Sequence, residues 1–434
     1  MRPQHLSEFI KRMGQHSVAV IPGGREATRS NDTQYRYRQD SDFYYLTGFD
    51  EPEAIAVINP ALEKEGRAYT LFVRPRDPER EIWDGRRAGV EGAVREHGAD
   101  ASYPIAEFAE KLADLINGAT NLYYRLGNGH PDLDDLIIKQ IGRMRTMTRK
   151  AMTPPQAIID SAVILHEMRL FKSDEEIAAM QRAADISAEA HMEAMKAARP
   201  GLKEYEIEAL IEYIFRKRGA AAPAYTSIVG GGRNATVLHY INNDAELQDG
   251  ELLLIDAGCE YKGYASDITR TFPVNGRFTE AQRDIYELVL LAQESCIEMT
   301  RPGVSMDELH NRSVEILTEG MVRLGLLQGD VQKLIEEEKY KQFYMHRLGH
   351  YLGIDVHDVG RYQIEGQSRR LEPGMVTTVE PGLYISPEAK EIPEKYLGIG
   401  VRIEDDVLVT ETGARVLSSK APKQVEEIEA LMAH

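Results

Sequence analysis

The hydrophobic rhythm of the chain changes part-way along. Up to about residue 160, short apolar runs such as SVAVIP (17–22) and EAIAVIN (53–59) alternate with helical stretches such as 105–117, a pattern that predicts a small mixed α/β domain. TPPQAIID (153–160) reads as a linker stretch, and the linker between the two domains is assigned to 161–172. Beyond it the periodicity turns helical. Ser173 with Glu176 forms a capping box that opens a helix ending before Pro200 and Gly201. A second helix carries Ile207, Leu210, Ile211, Ile214 and Phe215 at one-face spacing and stops at Gly219. Two more helices open near Thr279 and at Ser305, where Glu308 completes another capping box, and strand pairs fill the intervals. The class is α+β, with an amino-terminal mixed α/β domain over 1–160 and a second domain over 173–434. No low-complexity tract or internal repeat is visible.

Five residues bring charge to the ends of apolar, strand-like runs: Asp256, Asp267, His350, Glu380 and Glu404. ELLLIDAGC (251–259) is an apolar run ending at Asp256, and the alternation of YASDITRTF (264–272) puts Asp267, Thr269 and Thr271 on one face. CEYKGY between them is short enough to close a hairpin. Pairing about Tyr261 and Lys262 sets the two aspartates opposite each other, with Cβ atoms roughly 5 Å apart. Like charges so placed repel unless something positive lies between them, and a divalent cation is the natural candidate. Taken alone, the pair is better explained as a turn cap and a solvated side chain.

Three further segments shift that balance. HRLGHYLGIDVHD (346–358) packs three histidines among glycines and aliphatics, which suits a buried loop or short strand with imidazoles projecting into a cavity. MVTTVEPGLYI (375–385) is rich in β-formers, and Pro381 and Gly382 stop the strand directly after Glu380. GIGVRIEDDVLVT (398–410) puts Arg402 and Glu404 on one face and Val401 and Ile403 on the other, which by itself fits a buried ion pair equally well. Together, four carboxylates and one imidazole match a hard, oxygen-rich site for two metal ions better than a thiolate or zinc-finger-like site. Mn²⁺ or Co²⁺ fit best, with Zn²⁺, Fe²⁺ and Mg²⁺ open.

The DAG at Asp256, SDITRTFPVNG after it, the HxxxHxLGxDVHD block, TVEPGLY and RIEDD together resemble the pita-bread metallopeptidases, a fold shared by aminopeptidase P, prolidase and methionine aminopeptidase. YRYRQDSDFYYLTGFDEPEA (35–54) and EIWDGRRAG (81–89) resemble the amino-terminal domain of bacterial aminopeptidase P, so the resemblance spans nearly the whole chain. It implies a pita-bread catalytic domain of two pseudo-symmetric halves. The implied activity is hydrolysis of the bond between an amino-terminal residue and a following proline in peptides. By the same resemblance, Asp267 and Glu404 bridge two metals, Asp256 chelates one of them, and His350 and Glu380 complete the other. Glu380 is also the implied proton shuttle for the attacking water, and His239 and His357 are the implied donors to the substrate carbonyl. His346 is expected to line the pocket and Arg402 to orient Glu404, with core filling as the plain alternative for each. The family commonly forms dimers or tetramers, in which Trp83 would close a neighbouring subunit's site; otherwise it packs in the amino-terminal core. Many relatives carry Gly where this chain has Arg347, a departure that bears on substrate preference. Prolidase shares the ligands but cleaves Xaa-Pro dipeptides, some pita-bread proteins are non-catalytic binding modules, and creatinase-like hydrolysis uses no metal. The two amino-terminal segments and the complete ligand set favour aminopeptidase P.

Composition narrows the partners. A net charge of -18 argues against nucleic acid or an anionic membrane, whose recognition needs clustered Lys and Arg. With 434 residues and 42% hydrophobic content the chain can bury two or three substantial cores. Cys259 and Cys296 are too few for a disulfide framework and read as reduced thiols, the second on the apolar face of a helix. The polar start MRPQHLSEFIKRMGQH lacks the apolar centre of a signal peptide, and no run reaches the length of a membrane span. A cytoplasmic location is expected.

Overall fold

A computed structural model describes residues 4–147, 149 and 151–433, so the first three residues of the polar start lie outside the described residues. The chain divides into two compact units, Met1–Arg169 and Leu170–His434.

The first unit is built on a six-stranded mixed sheet in the order Ala101–Pro104, Tyr69–Val73, Ile55–Ile58, Ser17–Pro22, Asn121–Tyr123, Ala157–Ile159. Ser17–Pro22 lies inside the sheet and is almost wholly buried, as its unbroken apolar run requires. Helices Phe108–Ile116 and Pro131–Thr146 cover one face. The first buries Leu112, Leu115 and Ile116, and the second Leu133, Ile137, Ile141 and Met144, against Val18, Val20 and Phe72. Residues 161–172 contain a helix, Ala162–Leu170, in place of an open linker. The run AVILHEMRL is made largely of good helix formers, and the Asp160 carboxylate accepts from the Ala162 amide at 2.9 Å at its start. Within TPPQAIID, Ala157–Ile159 is the edge strand beside Asn121–Tyr123.

The second unit repeats one order of elements. Helices Asp174–Ala197 and Glu204–Lys217 precede the antiparallel sheet Ile228–Gly231, Leu252–Asp256, Thr269–Pro273. Helices Glu280–Met299 and Met306–Arg323 precede the antiparallel sheet Val376–Val379, Asp405–Val409, Ala414–Val416. Capping boxes at Ser173/Glu176 and Ser305/Glu308 are both formed, and Thr279 forms a third with Gln282. A short pair, Gly382–Tyr384 with Gly400–Arg402, belongs to neither three-stranded sheet. Val401 and Ile403 join Ile255, Phe272, Leu288 and Val289 in the main core, so Arg402 and Glu404 are turned to the opposite face. Cys259 and Cys296 are free thiols buried in this unit.

Candidate metal centre

The strand Leu252–Asp256 pairs with Thr269–Pro273, and Cys259–Tyr261 pairs with Tyr264–Ala265, so one hairpin carries both aspartates. Its turn is centred on Lys262 and Gly263, one position later than the spacing predicts. Both residues have positive φ, 51° and 82°, the geometry of a type I′ turn, which is easily met by Gly263 and would be strained at Tyr261. Asp256 consequently faces Thr269 in the register, and Asp267 is its diagonal neighbour on the same face. The strands close tightly at Gly258, where a Cβ would stand 1.7 Å from the Ser266 carbonyl oxygen. What joins the aspartates is the Tyr225 hydroxyl, which bonds Asp256 Oδ1 at 2.6 Å and Asp267 Oδ1 as well.

The other charged groups arrive at breaks in strands. Glu380 follows Val376–Val379, and Glu404 lies between Gly400–Arg402 and Asp405–Val409. Glu404 Oε2 accepts from the Thr269 hydroxyl at 2.7 Å, and its backbone carbonyl accepts from the buried Arg270 Nη1 at 2.6 Å. His350 lies in the irregular loop 346–358, its amide held by Thr378 Oγ1 at 3.0 Å. Thr378 Oγ1 in turn donates to Glu380 Oε1 at 3.2 Å. His350 Nδ1 bonds the Tyr351 carbonyl at 3.0 Å, so this nitrogen carries a proton and Nε2 faces the acids, 3.4 Å from Asp267 Oδ2 and 3.4 Å from Glu380 Oε1. One ligand atom each from Asp267, His350 and Glu404 lies within 4.8 Å of the other two.

The electrostatics fit a divalent cation. Burial pushes the carboxyl of Glu380 up to about 7 and that of Glu404 well above the usual range, each with help from neighbouring acids. Burial also raises Asp256, although Arg402 opposes it. Burial works against His350 as a cation too, yet its hydrogen bond to Asp267 and the charge of Glu380 outweigh it and lift the imidazole to about 9. The site therefore recruits protons to offset an excess of buried negative charge, and cations held by these oxygens and by Nε2 would offset it better.

All nine residues expected at the site line one cleft of 580 Å³. His239 and His357 stand exposed at its wall, the His357 ring 4.3 Å from that of His350 and nearly perpendicular to it. His346 is half-buried, its Nε2 2.8 Å from the Tyr384 hydroxyl, and burial lowers it to about 4, so it is neutral. Arg402 departs from expectation. Its guanidinium bonds Asp256 Oδ2 at 2.6 Å, Tyr384 OH at 3.0 Å and Thr269 Oγ1 at 3.2 Å. Its link to Glu404 runs through the Thr269 hydroxyl, and Asp256, on a strand of a separate sheet, is the carboxylate brought against it. Tyr225 and Arg270 are not among the residues the sequence points to, and Thr269 is placed by it on the face of Asp267 without a role. Thr269 shares the alternating face of Asp267, which was a usable signal; Tyr225 and Arg270 offered none. Lys172 and Asp358, paired at 3.0 Å and fully buried, tie the end of the histidine loop to the chain that opens this unit.

This geometry is that of a hydrolytic centre for divalent cations, set in the second unit. Residues 178–411 match the model of Metallopeptidase family M24, and residues 3–123 match that of the Aminopeptidase P, N-terminal domain. The chain belongs to metallopeptidase family M24. It is 48% identical to the Xaa-Pro aminopeptidase of Escherichia coli over 424 residues, 98% of this chain and 95% of that one. Against the Xaa-Pro aminopeptidase of Haemophilus influenzae it is 48% identical over 429 residues, 99% of this chain and 96% of that one. Among solved structures it superposes on Pseudomonas aeruginosa aminopeptidase PepP with a TM-score of 0.96 at 51% identity, covering 99% and 96% of the two chains. Zn-substituted Escherichia coli aminopeptidase P in complex with product gives 0.95 at 48% identity, covering 99% and 97%.

Proposed function

We propose that this protein is a two-metal aminopeptidase that removes the first residue from peptides whose second residue is proline. The observation that carries the proposal is the gathering of Asp256, Asp267, His350, Glu380 and Glu404 in one acid-rich cleft, in a chain similar over nearly its full length to Xaa-Pro aminopeptidases. Asp267 and Glu404 would bridge two divalent cations, Asp256 would chelate one, and His350 and Glu380 would complete the other. Mn²⁺ suits this hard donor set best, with Co²⁺ or Zn²⁺ as alternatives. When bound, the cations supply an acidified water and polarise the carbonyl.

The remaining steps belong to the side chains. Glu380, which lines the cleft beside His350, is the group that would take and return the proton of the attacking water. His239 and His357 donate to the carbonyl oxygen as charge develops on it. Arg402 fixes Asp256, and the neutral His346 with Tyr384 shapes the wall beside the proline ring. The bond before proline is a tertiary amide without N–H, so recognition has to use ring shape, which a compact aromatic wall provides. Two free, buried thiols are compatible with a reducing compartment, and we place the protein in the cytoplasm. Trp83 and Ile82 are 85% and 81% exposed on helix Pro78–Asp84, outside the amino-terminal core, and support assembly into a dimer or tetramer.

The test compares Mn²⁺-loaded protein on Gly-Pro, Ala-Pro-Ala and Ala-Ala-Ala. Fast cleavage of Ala-Pro-Ala alone is expected. Faster cleavage of Gly-Pro would make the protein a prolidase, and equal cleavage of Ala-Ala-Ala would end the proline-specific assignment.

A further inference from the structure

A second hollow of 420 Å³ opens in the same unit, walled by Met306, Leu348, Tyr362 and Gln363, with Arg347 and Gly349 common to it and to the metal cleft. Gly349 directly precedes His350, so the two cavities adjoin at the histidine loop. An enzyme that removes a single leading residue leaves the rest of its substrate beyond the proline, at about 3.3 Å per extended residue, and that chain needs a channel continuous with the cleft. The second hollow, which shares Arg347 and Gly349 with the cleft, is the neighbouring space in which that chain could lie. Its floor offers Met306 and Leu348 to an ordinary side chain, while Gln363 and Ser368 suit a peptide backbone.

Two guanidinium groups line these cavities. That of Arg402 is engaged by Asp256, Thr269 and Tyr384 and is buried. That of Arg347 is exposed and pairs with Asp307, which lines the second hollow but not the cleft. An exposed ion pair of this kind contributes little and exchanges readily. In a chain of net charge -18, beside a cleft lined by four carboxylates, Arg347 is the cation placed to meet an incoming anion.

We propose that the second hollow receives the substrate residues beyond proline, and that Arg347 binds the terminal carboxylate of short peptides by exchanging Asp307 for it. The inference rests on the Xaa-Pro assignment and names the downstream part of that substrate.

Calorimetric titration of the Mn²⁺-loaded protein with Pro-Ala and with Pro-Ala amide tests it at equilibrium. The free acid is expected to bind about tenfold more tightly than the amide, the scale of one charge-assisted hydrogen bond at a partly exposed site. Arg347→Ala should bring the two affinities together, Arg347→Lys should keep part of the difference, and Asp307→Asn should widen it by freeing the guanidinium. Equal affinities in the unaltered protein, an undiminished difference in Arg347→Ala, or no binding of either peptide would overturn the proposal. Cleavage of Ala-Pro-Ala against Ala-Ala-Ala on the same preparations separates the two claims. Proline-specific cleavage without an acid preference removes the role of Arg347 alone, whereas loss of proline specificity removes the underlying assignment with it.

Discussion

Asp267 is fixed at both its backbone and its carboxylate. Its backbone amide bonds Asp406 at 3.1 Å, and its carboxylate meets Tyr225 and His350. Replacing it, or Glu404, with Ala should abolish activity and lower bound metal below two equivalents, with the circular dichroism spectrum retained; two equivalents by elemental analysis would remove the bridging role. His239→Ala or His357→Ala should instead keep the metal and lower kcat by roughly 10²-fold, as expected for lost oxyanion donors. Protonation gives an independent check. Glu380 near 7 and the raised Glu404 hold protons in the metal-free site below neutrality, and a cation favours their ionised forms. Titrating Mn²⁺ into chelator-treated protein in weak buffer should therefore release protons, more at pH 6 than at pH 8. Release that is absent, or independent of pH, would contradict the electrostatic account.

At the level of elements, the hairpin 252–273 depends on Gly258. Any side chain there meets the Ser266 carbonyl at 1.7 Å, and backbone cannot rotate away as a flexible side chain can. Gly258→Ala should cost about 1–3 kcal/mol or more in a urea titration and reduce metal content together with stability. This hairpin also shows which information the sequence carries. The capping boxes at Ser173 and Ser305 and the helix faces were legible because partners three or four residues apart decide them. The burial of Val401 and Ile403 opposite Arg402 and Glu404 was legible from simple alternation. The register of the hairpin was misjudged because apolar alternation is unchanged by a shift of two, and only the positive φ demanded at the turn distinguishes the alternatives. The partner of Arg402 lies 146 positions away and depends on how separate sheets meet, which no local pattern encodes. The helix Ala162–Leu170 was hidden by the prolines before it.

At the level of the molecule, each unit carries its own core, and each should respond to its own perturbation. In the first unit Asp42 is buried; burial opposes its charge, but His166 at 3.2 Å and Arg169 at 2.8 Å hold it down to about 2. Because its folded pKa lies below the unfolded value near 4, the stabilisation is complete above that value and disappears as pH falls towards 2. Asp42→Asn should therefore lower the stability of the first unit by about 2 kcal/mol at pH 7 and by almost nothing near pH 2. Chelation should shift the transition of the second unit. Calorimetry resolving the two transitions checks both, and a single transition moved by either change would show that the units unfold together.

The hairpin that unites Asp256 and Asp267 has a kinetic consequence as well. Its own pairing is local and is expected to form early in folding, whereas Glu404 reaches Thr269 across 135 residues and Arg402 reaches Asp256 across 146. The acids that must share a cation are thus assembled from an early piece and a late one, and a cation needing both finds its site only after the rate-limiting barrier. Raising Mn²⁺ should slow unfolding while leaving the refolding rate where it was, so that the metal acts as a lock on the finished chain and not as a template for building it.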